Sequence, residues 1–148
     1  MIKMKHIKII SLIIMALVFN SCQGQEDKKA VSFDENISKI EVIDFHSTHR
    51  CVTCKSIEKN TQYTLDTFFT KEIEEGKITF QIINIDDKSN YDMAKKFRAT
   101  STSLFLNVVR NGKERKIDLT DFAFLNGKNQ EKFSTGFKSK LEKQLAKL

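Results

Sequence analysis

Two cysteines, Cys51 and Cys54, stand at a seam between two periodicities, with Val52-Thr53 between them. Upstream runs Ile40-Glu41-Val42-Ile43-Asp44-Phe45, which has the apolar density of a strand covered on both faces. Downstream, Cys54, Ile57, Thr61, Leu65, Phe68 and Phe69 recur at helical spacing. A pair at the first turn of a helix that follows a strand can close a small ring, one sulfur exposed and the other tucked against the helix. Few chain paths allow this, so the strand-turn-helix seam limits the fold more than any other segment.

The alternation continues along the chain. The first strand is expected from Ile37 to Phe45. The helix after it is extended by Ile73 and stopped by Gly76, with a break expected near Asn60 or Thr70. Ile78 to Ile85 is the clearest strand. Asp86 to Asn90 turns the chain, and Tyr91, Ala94 and Phe97 mark a short helix. Leu104 to Val109 reads as a strand, and Asn111-Gly112 is a strong hairpin signal because both turn positions tolerate positive φ. Glu114 to Leu119 is the returning strand. A last helix begins near Asn129, with Phe133, Phe137, Leu141, Leu145 and Leu148 on one stripe and lysines opposite. The order is β-α-β-α-β-β-α, an α/β class with a central mixed sheet. The three early strands, joined by helical crossovers, are expected to be parallel and right-handed, with the hairpin closing the sheet.

The first residues read as an address. Lys3, Lys5 and Lys8 precede eleven residues, Ile9 to Phe19, of which only Ser11 is polar. That run is short for a bilayer span and suits a secretory signal. It ends in Phe19-Asn20-Ser21-Cys22, which resembles the bacterial lipobox. The resemblance implies a signal peptide over residues 1–21, acylation at Cys22, and a protein anchored by lipid in the bacterial cell envelope, facing the periplasm or the cell surface. Residues 22–36 would be a flexible tether and residues 37–148 the folded domain. Removing 21 of the 148 residues leaves 127, enough for one modest core.

The net charge of +6 invites a nucleic-acid reading, but the three leader lysines leave about +3 in the remainder. Lys and Glu are interspersed there without a basic-aromatic platform, so no nucleic-acid partner is expected. With Cys22 committed to lipid, Cys51 and Cys54 are the remaining thiols. Outside the cytoplasm such a pair can rest oxidised and be reduced by a partner.

The element order is that of the thioredoxin fold, and the motifs narrow the likeness. Val42-Ile43-Asp44-Phe45 resembles the strand leading into the thioredoxin active site. Ile83-Asn84-Ile85-Asp86 resembles its second core strand, and Leu104-Phe105-Leu106 with Asn111-Gly112-Lys113-Glu114 its late hairpin. A narrower set comprises Phe45-His46, Arg50-Cys51-Val52-Thr53-Cys54-Lys55, Ile57-Glu58 and the Glu75-Gly76 before the second strand. It is similar to the bacterial family labelled nitrophenyl compound nitroreductase subunit ArsF. That likeness implies work alongside partner subunits in reducing nitroaromatic compounds.

The chemistry of the pair can also be read from its residues. A helix starting near Cys54 aims its amides at the Cys51 sulfur and favours the thiolate, with Arg50, His49 and Lys55 adding positive charge. Cys51 is the expected nucleophile, forming a mixed disulfide with a membrane-associated protein partner that Cys54 then resolves. Asp44 aligns with the buried acid that serves proton transfer in thioredoxins. A carboxylate at the end of a covered strand should hold its proton to raised pH. Arg50, His46 and Thr102 are supporting candidates.

Some features depart from thioredoxins. Arg50 precedes the pair in place of Trp, the loop before it is one residue longer, and Val-Thr replaces Gly-Pro between the cysteines. Ser101-Thr102-Ser103 stands where thioredoxins carry a cis-proline, and a trans bond is expected before Thr102 because cis costs ~3 kcal/mol there. The same residues admit other readings. His46, His49, Cys51 and Cys54 offer four ligands within nine residues for zinc or copper. The pair is alternatively a static staple, though so short a loop stabilises weakly, or the domain is a non-catalytic partner subunit. Lys55 stands where covalent haem attachment needs His, and no cofactor is expected.

Overall fold

The computed structural model describes residues 38–148. The leader, Cys22 and the tether, together with Ile37, lie outside the described residues. The elements are β1 (Lys39–His46), α1 (Val52–Phe68), α2 (Thr70–Glu74), β2 (Ile78–Asn84), a single 3-10 turn (Lys88–Asn90), α3 (Tyr91–Phe97), β3 (Ser103–Arg110), β4 (Lys113–Asp118), α4 (Thr120–Asn126) and α5 (Gln130–Leu145). The four strands form one mixed sheet in the order β2-β1-β3-β4. This is a thioredoxin-like α/β fold.

β1 runs through the centre and is covered on both faces, so from Val42 to Phe45 every side chain is buried, polar Asp44 included. Ile40 and Val42 pack with Ile57 and Leu65 of α1 and with Phe133, Phe137 and Leu141 of α5. Ile43 and Phe45 face the other way, onto Phe97, Ala99 and Phe105. The rings of Phe45, Phe97 and Phe105 lie 5.3–5.9 Å apart between centroids, a spacing at which aromatic edges meet faces. The first layer is thus closed by α1 and α5, from opposite ends of the described residues, and the second by the short α3.

β1 and β2 are parallel, with Asp44 opposite Ile82 and His46 opposite Asn84. β3 is antiparallel to β1, with Phe45 opposite Ser103 and Lys39 opposite Val109, which corrects the expectation of three parallel strands. The reason is reach. A parallel β3 requires the chain to return along the whole sheet, about 25 Å for an eight-residue strand. The seven residues of α3 advance only about 10 Å. The connector therefore crosses the face near one rim, and β3 starts where β1 ends.

The break expected in the first long helix falls beside Thr70 and not at Asn60. Phe69 leaves helical geometry at φ −132°, ψ 20° and is buried in the core, so the helical path is given up to bury a ring. Asn111 and Gly112 both have positive φ, and the hairpin pairs Arg110 with Lys113. α4 has no counterpart in the periodicity reading. Only Ala123 of its seven residues is buried, so it leaves no apolar stripe. α5 begins one residue after Asn129, whose side chain accepts the Lys132 amide at 3.0 Å, a sound N-cap.

Candidate active site

Cys51 is the N-cap of α1, in extended backbone at φ −71°, ψ 163°. Its sulfur accepts the backbone N–H of Cys54 at 3.0 Å and is joined to the Cys54 sulfur in a disulfide, with the Cα atoms 5.1 Å apart. Cys51 is exposed, whereas Cys54 is buried on the stripe that continues through Ile57, Thr61 and Leu65 toward the sheet. The helix starts at Val52, earlier than the residue expected from sequence. No acidic residue occupies its first turn, so nothing there offsets the positive end of the helix dipole. Cys51 thus faces water and the amide ends, while Cys54 faces the interior.

The loop from Ser47 to Arg50 is held by the turn after β2. The amide of Thr48 donates to Asp86 Oδ2 at 2.7 Å, and Asn84 Nδ2 donates to Thr48 Oγ1 at 3.2 Å. The Thr48 amide and hydroxyl keep the exposed Asp86 carboxyl below the usual carboxylate range. These ties fix the longer loop and so fix where Arg50 enters.

Beneath α1 lies a buried charge cluster. Asp44 is fully buried on the β1 face that bears Ile40 and Val42, the face α1 covers. Neither of its carboxylate oxygens has a hydrogen-bond partner within the protein. Burial, followed by the charge of Glu58, pushes its pKa up to about 7, and the Arg50 guanidinium pulls the other way. Arg50 Nη1 lies 2.6 Å from Glu58 Oε2, both side chains being largely covered. That contact is an ion pair by distance without the angle of a hydrogen bond, since Glu58 Oε2, Arg50 Nε and Arg50 Nη2 are otherwise unpartnered.

This geometry revises the role expected of Arg50. Its charge is committed to Glu58 and acts on Asp44, so it is not a free cation beside the Cys51 sulfur. Glu58, which the sequence offers within a family motif but without a role, is the further member of the site. Its signal was its place four residues after Cys54, one helical turn along the same flank.

Thr102 is buried and its neighbour Ser101 exposed, at the same rim as the cysteines, because Ser103 pairs with Phe45 at the end of β1. The bond before Thr102 is trans, as are all described peptide bonds. Ser103 Oγ donates to the Ser101 carbonyl at 2.9 Å, and the Leu104 amide donates to Thr120 Oγ1 at 3.3 Å, tying this loop to the start of α4. An open cleft runs beside it between Arg98, Thr100, Thr102, Thr120 and Asp121.

The histidines do not join the sulfurs. His46 Nδ1 is 2.9 Å from the Ser47 carbonyl, and His49 is exposed, its carbonyl accepting from Ser47 Oγ. Among the described residues no three His, Cys, Asp or Glu side chains converge on a metal-sized site. The ligand set His46, His49, Cys51 and Cys54 is thus not assembled in the disulfide form. Among the described residues, no helix is long and apolar enough to cross a membrane.

No protein-family model and no curated protein matches the chain. Solved structures do resemble it. A thioredoxin from Fasciola hepatica is 21% identical, with a TM-score of 0.39, over 56% of this chain and 70% of its own. The oxidized form of mitochondrial thioredoxin 3 from Saccharomyces cerevisiae is 21% identical, with a TM-score of 0.40, over 63% and 79%. A structure described as a malarial protein is 17% identical, with a TM-score of 0.39, over 60% and 94%. None of these likenesses bears on chemistry, which rests on the side chains just described.

Proposed function

We propose that the protein is a thiol–disulfide oxidoreductase that exchanges two electrons with a protein partner through Cys51 and Cys54. The observation that carries this reading is the asymmetry of the pair: Cys51 exposed at the helix tip with an amide aimed at its sulfur, Cys54 buried one turn on. A static staple has no need of that asymmetry, and a ring this small adds little stability.

In the reaction the reduced Cys51 thiolate attacks a partner disulfide, forming a Cys51–partner bond and releasing one partner thiolate. Cys54 passes its proton to the Asp44 carboxylate and attacks the Cys51 sulfur. The Cys51–partner bond breaks, the second partner thiolate leaves, and the intramolecular disulfide forms. The dithiol has lost two electrons and the partner disulfide has gained them. Run in reverse, the same steps reduce the domain at the expense of a partner dithiol. A general base suits this step when its pKa lies near the working pH, and about 7 for Asp44 meets that condition. The cleft beside Thr102 gives a partner segment somewhere to lie against.

The finer reading follows from the sequence resemblances. Cys22 carries the lipid, the domain works in the cell envelope on the far side of the cytoplasmic membrane, and its partner is membrane-associated. The likeness to the ArsF family adds a place beside subunits that reduce nitroaromatic compounds.

The test is a titration of the purified protein in dithiol buffers of graded ratio, following thiol accessibility with and without zinc or Cu(I). A reversible two-electron transition indifferent to metal is expected. Stoichiometric metal uptake that abolishes thiol reactivity would replace the proposal with a metal-carrying role. In cells, Cys54→Ser should accumulate a mixed disulfide through Cys51. Mass spectrometry of the membrane fraction should find acyl chains on Cys22, and an unmodified Cys22 there would remove the anchoring claim alone.

A further inference from the structure

Asp44 is surrounded by a sparse set of groups. On its own strand, His46 follows on the same face, while Glu41 points to the opposite face, where it meets Lys39 and Asn107. Its neighbours across the sheet are Ile82 on β2 and Leu104 on β3. α5 presents Phe133, Phe137, Leu141 and Leu145 to this layer, and its buried Ser134 accepts the Thr64 hydroxyl of α1 at 2.9 Å. Two charged groups act on Asp44, Glu58 from α1 and Arg50 from the loop. These two flank the cysteine pair, Arg50 immediately before Cys51 and Glu58 four residues after Cys54, and they pair with each other at 2.6 Å. Five polar atoms of this trio are buried without a hydrogen-bond partner. Such incompletely paired groups are costly and rare, and they cluster at sites where proton affinity is adjusted.

Resting on the oxidoreductase reading, we infer that the Arg50–Glu58 ion pair is a positioning device for Asp44: the two charges, paired at 2.6 Å in the covered space under α1, act in opposite senses on the unpartnered Asp44 carboxyl. Glu58 and Arg50 touch no reacting atom. They set the pH window in which Asp44 can take the Cys54 proton. Like charge from Glu58 disfavours a second carboxylate in the same covered space, and a cation bound to Glu58 weakens that repulsion. Movement of Arg50 off Glu58 would then switch the proton acceptor off without altering either cysteine.

The experiment uses the full reduced protein mixed with excess 5,5′-dithiobis(2-nitrobenzoate) in stopped flow between pH 5 and 9. Cys51 takes up one thionitrobenzoate group and releases one thionitrobenzoate ion. Cys54 then attacks the Cys51 sulfur, the mixed disulfide breaks, and a second thionitrobenzoate ion is released. The rate of that second release should rise with pH as Asp44 ionises. In Glu58→Gln the rise should move to lower pH, making the second release about threefold faster at pH 6. In Arg50→Gln it should move to higher pH, and Arg50→Lys should restore the original profile. Carboxyl 13C NMR of Asp44 in the same proteins should report the same order of titration midpoints and does not depend on the chemistry. Profiles and midpoints in Glu58→Gln that superimpose on those of the unaltered protein would overturn this inference alone. Absence of a second release from the unaltered protein at every pH would overturn the oxidoreductase reading beneath it.

Discussion

The side-chain amide of Asn60 donates to the carbonyl of Gly127 at 2.9 Å, joining the middle of α1 to the corner between α4 and α5. Residues 67 positions apart in sequence are thereby locked close to the turn that carries the cysteines. A Cβ at position 127 would lie 2.7 Å from the Ala123 carbonyl oxygen and 2.9 Å from Ile57 Cγ1. The backbone oxygen has nowhere to retreat without unwinding α4.

Gly127→Ala should therefore destabilise the fold by about 1–3 kcal/mol, as other forced overpackings do. Urea unfolding at fixed pH measures it. A change within 0.3 kcal/mol of zero would show that the corner yields freely.

Reactivity of the two thiols should differ sharply. In the reduced protein, limiting iodoacetamide should label Cys51 at least ~10-fold faster than Cys54, because only the first is both exposed and at the helix tip. Peptide mass spectrometry after a timed quench reads the ratio. Equal labelling would contradict the assignment of nucleophile and resolver.

Stability should depend on pH through Asp44. The folded protein holds that proton up to about pH 7, while the unfolded chain releases it near 3.8. Across that interval the folded state binds more protons, so stability falls as pH rises and the full cost is felt above about pH 7. Asp44→Asn should be more stable than the unaltered protein at pH 8 by about 2–4 kcal/mol, with the gain vanishing below about pH 4. Thermal or urea melts at the two pH values decide it. A less stable variant at pH 8 would mean that the carboxylate is better compensated than its surroundings indicate.

The layer opposite α1 depends on its aromatic trio. Phe45 is fully buried, and its ring contacts those of Phe97 and Phe105. Phe45→Ala should cost about 3–5 kcal/mol and should loosen the end of β1 that leads to the cysteines. Hydrogen exchange along β1 would register both effects, and unchanged protection at Asp44 and His46 would confine the damage to the opposite layer.

Much of this fold was legible because its elements sit in layers with clear periods. β1 and β2 declared themselves through apolar density, Asn111-Gly112 through backbone chirality, and α5 through a stripe that the core does bury at Phe133, Phe137 and Leu141. α4 was invisible because Phe124 and Leu125 point outward, inverting the pattern by which a short helix is recognised. The direction of β3 could not come from periodicity, which carries no sign, although the brevity of α3 held the answer. At the site, Cys51, Cys54 and Asp44 stood out by type and spacing. Glu58 did not, because an acid on a helix flank reads as solvated until the sheet beneath it is known. Arg50 was noticed for its nearness in sequence to Cys51, whereas its charge is spent on Glu58.

The brevity of α3 has a further bearing on engineering. Because that connector never travels the length of the sheet, the serine–threonine segment and the cysteines come to share one rim. Two added turns would supply the reach for the third strand to enter from the other side, and Thr102 would then be carried to the opposite pole. The sulfurs would keep their own tight ring yet no longer share a rim with that segment. A dimension that belongs to no reacting group is thus a condition for the cleft beside Thr102 to open at the rim that carries the cysteines.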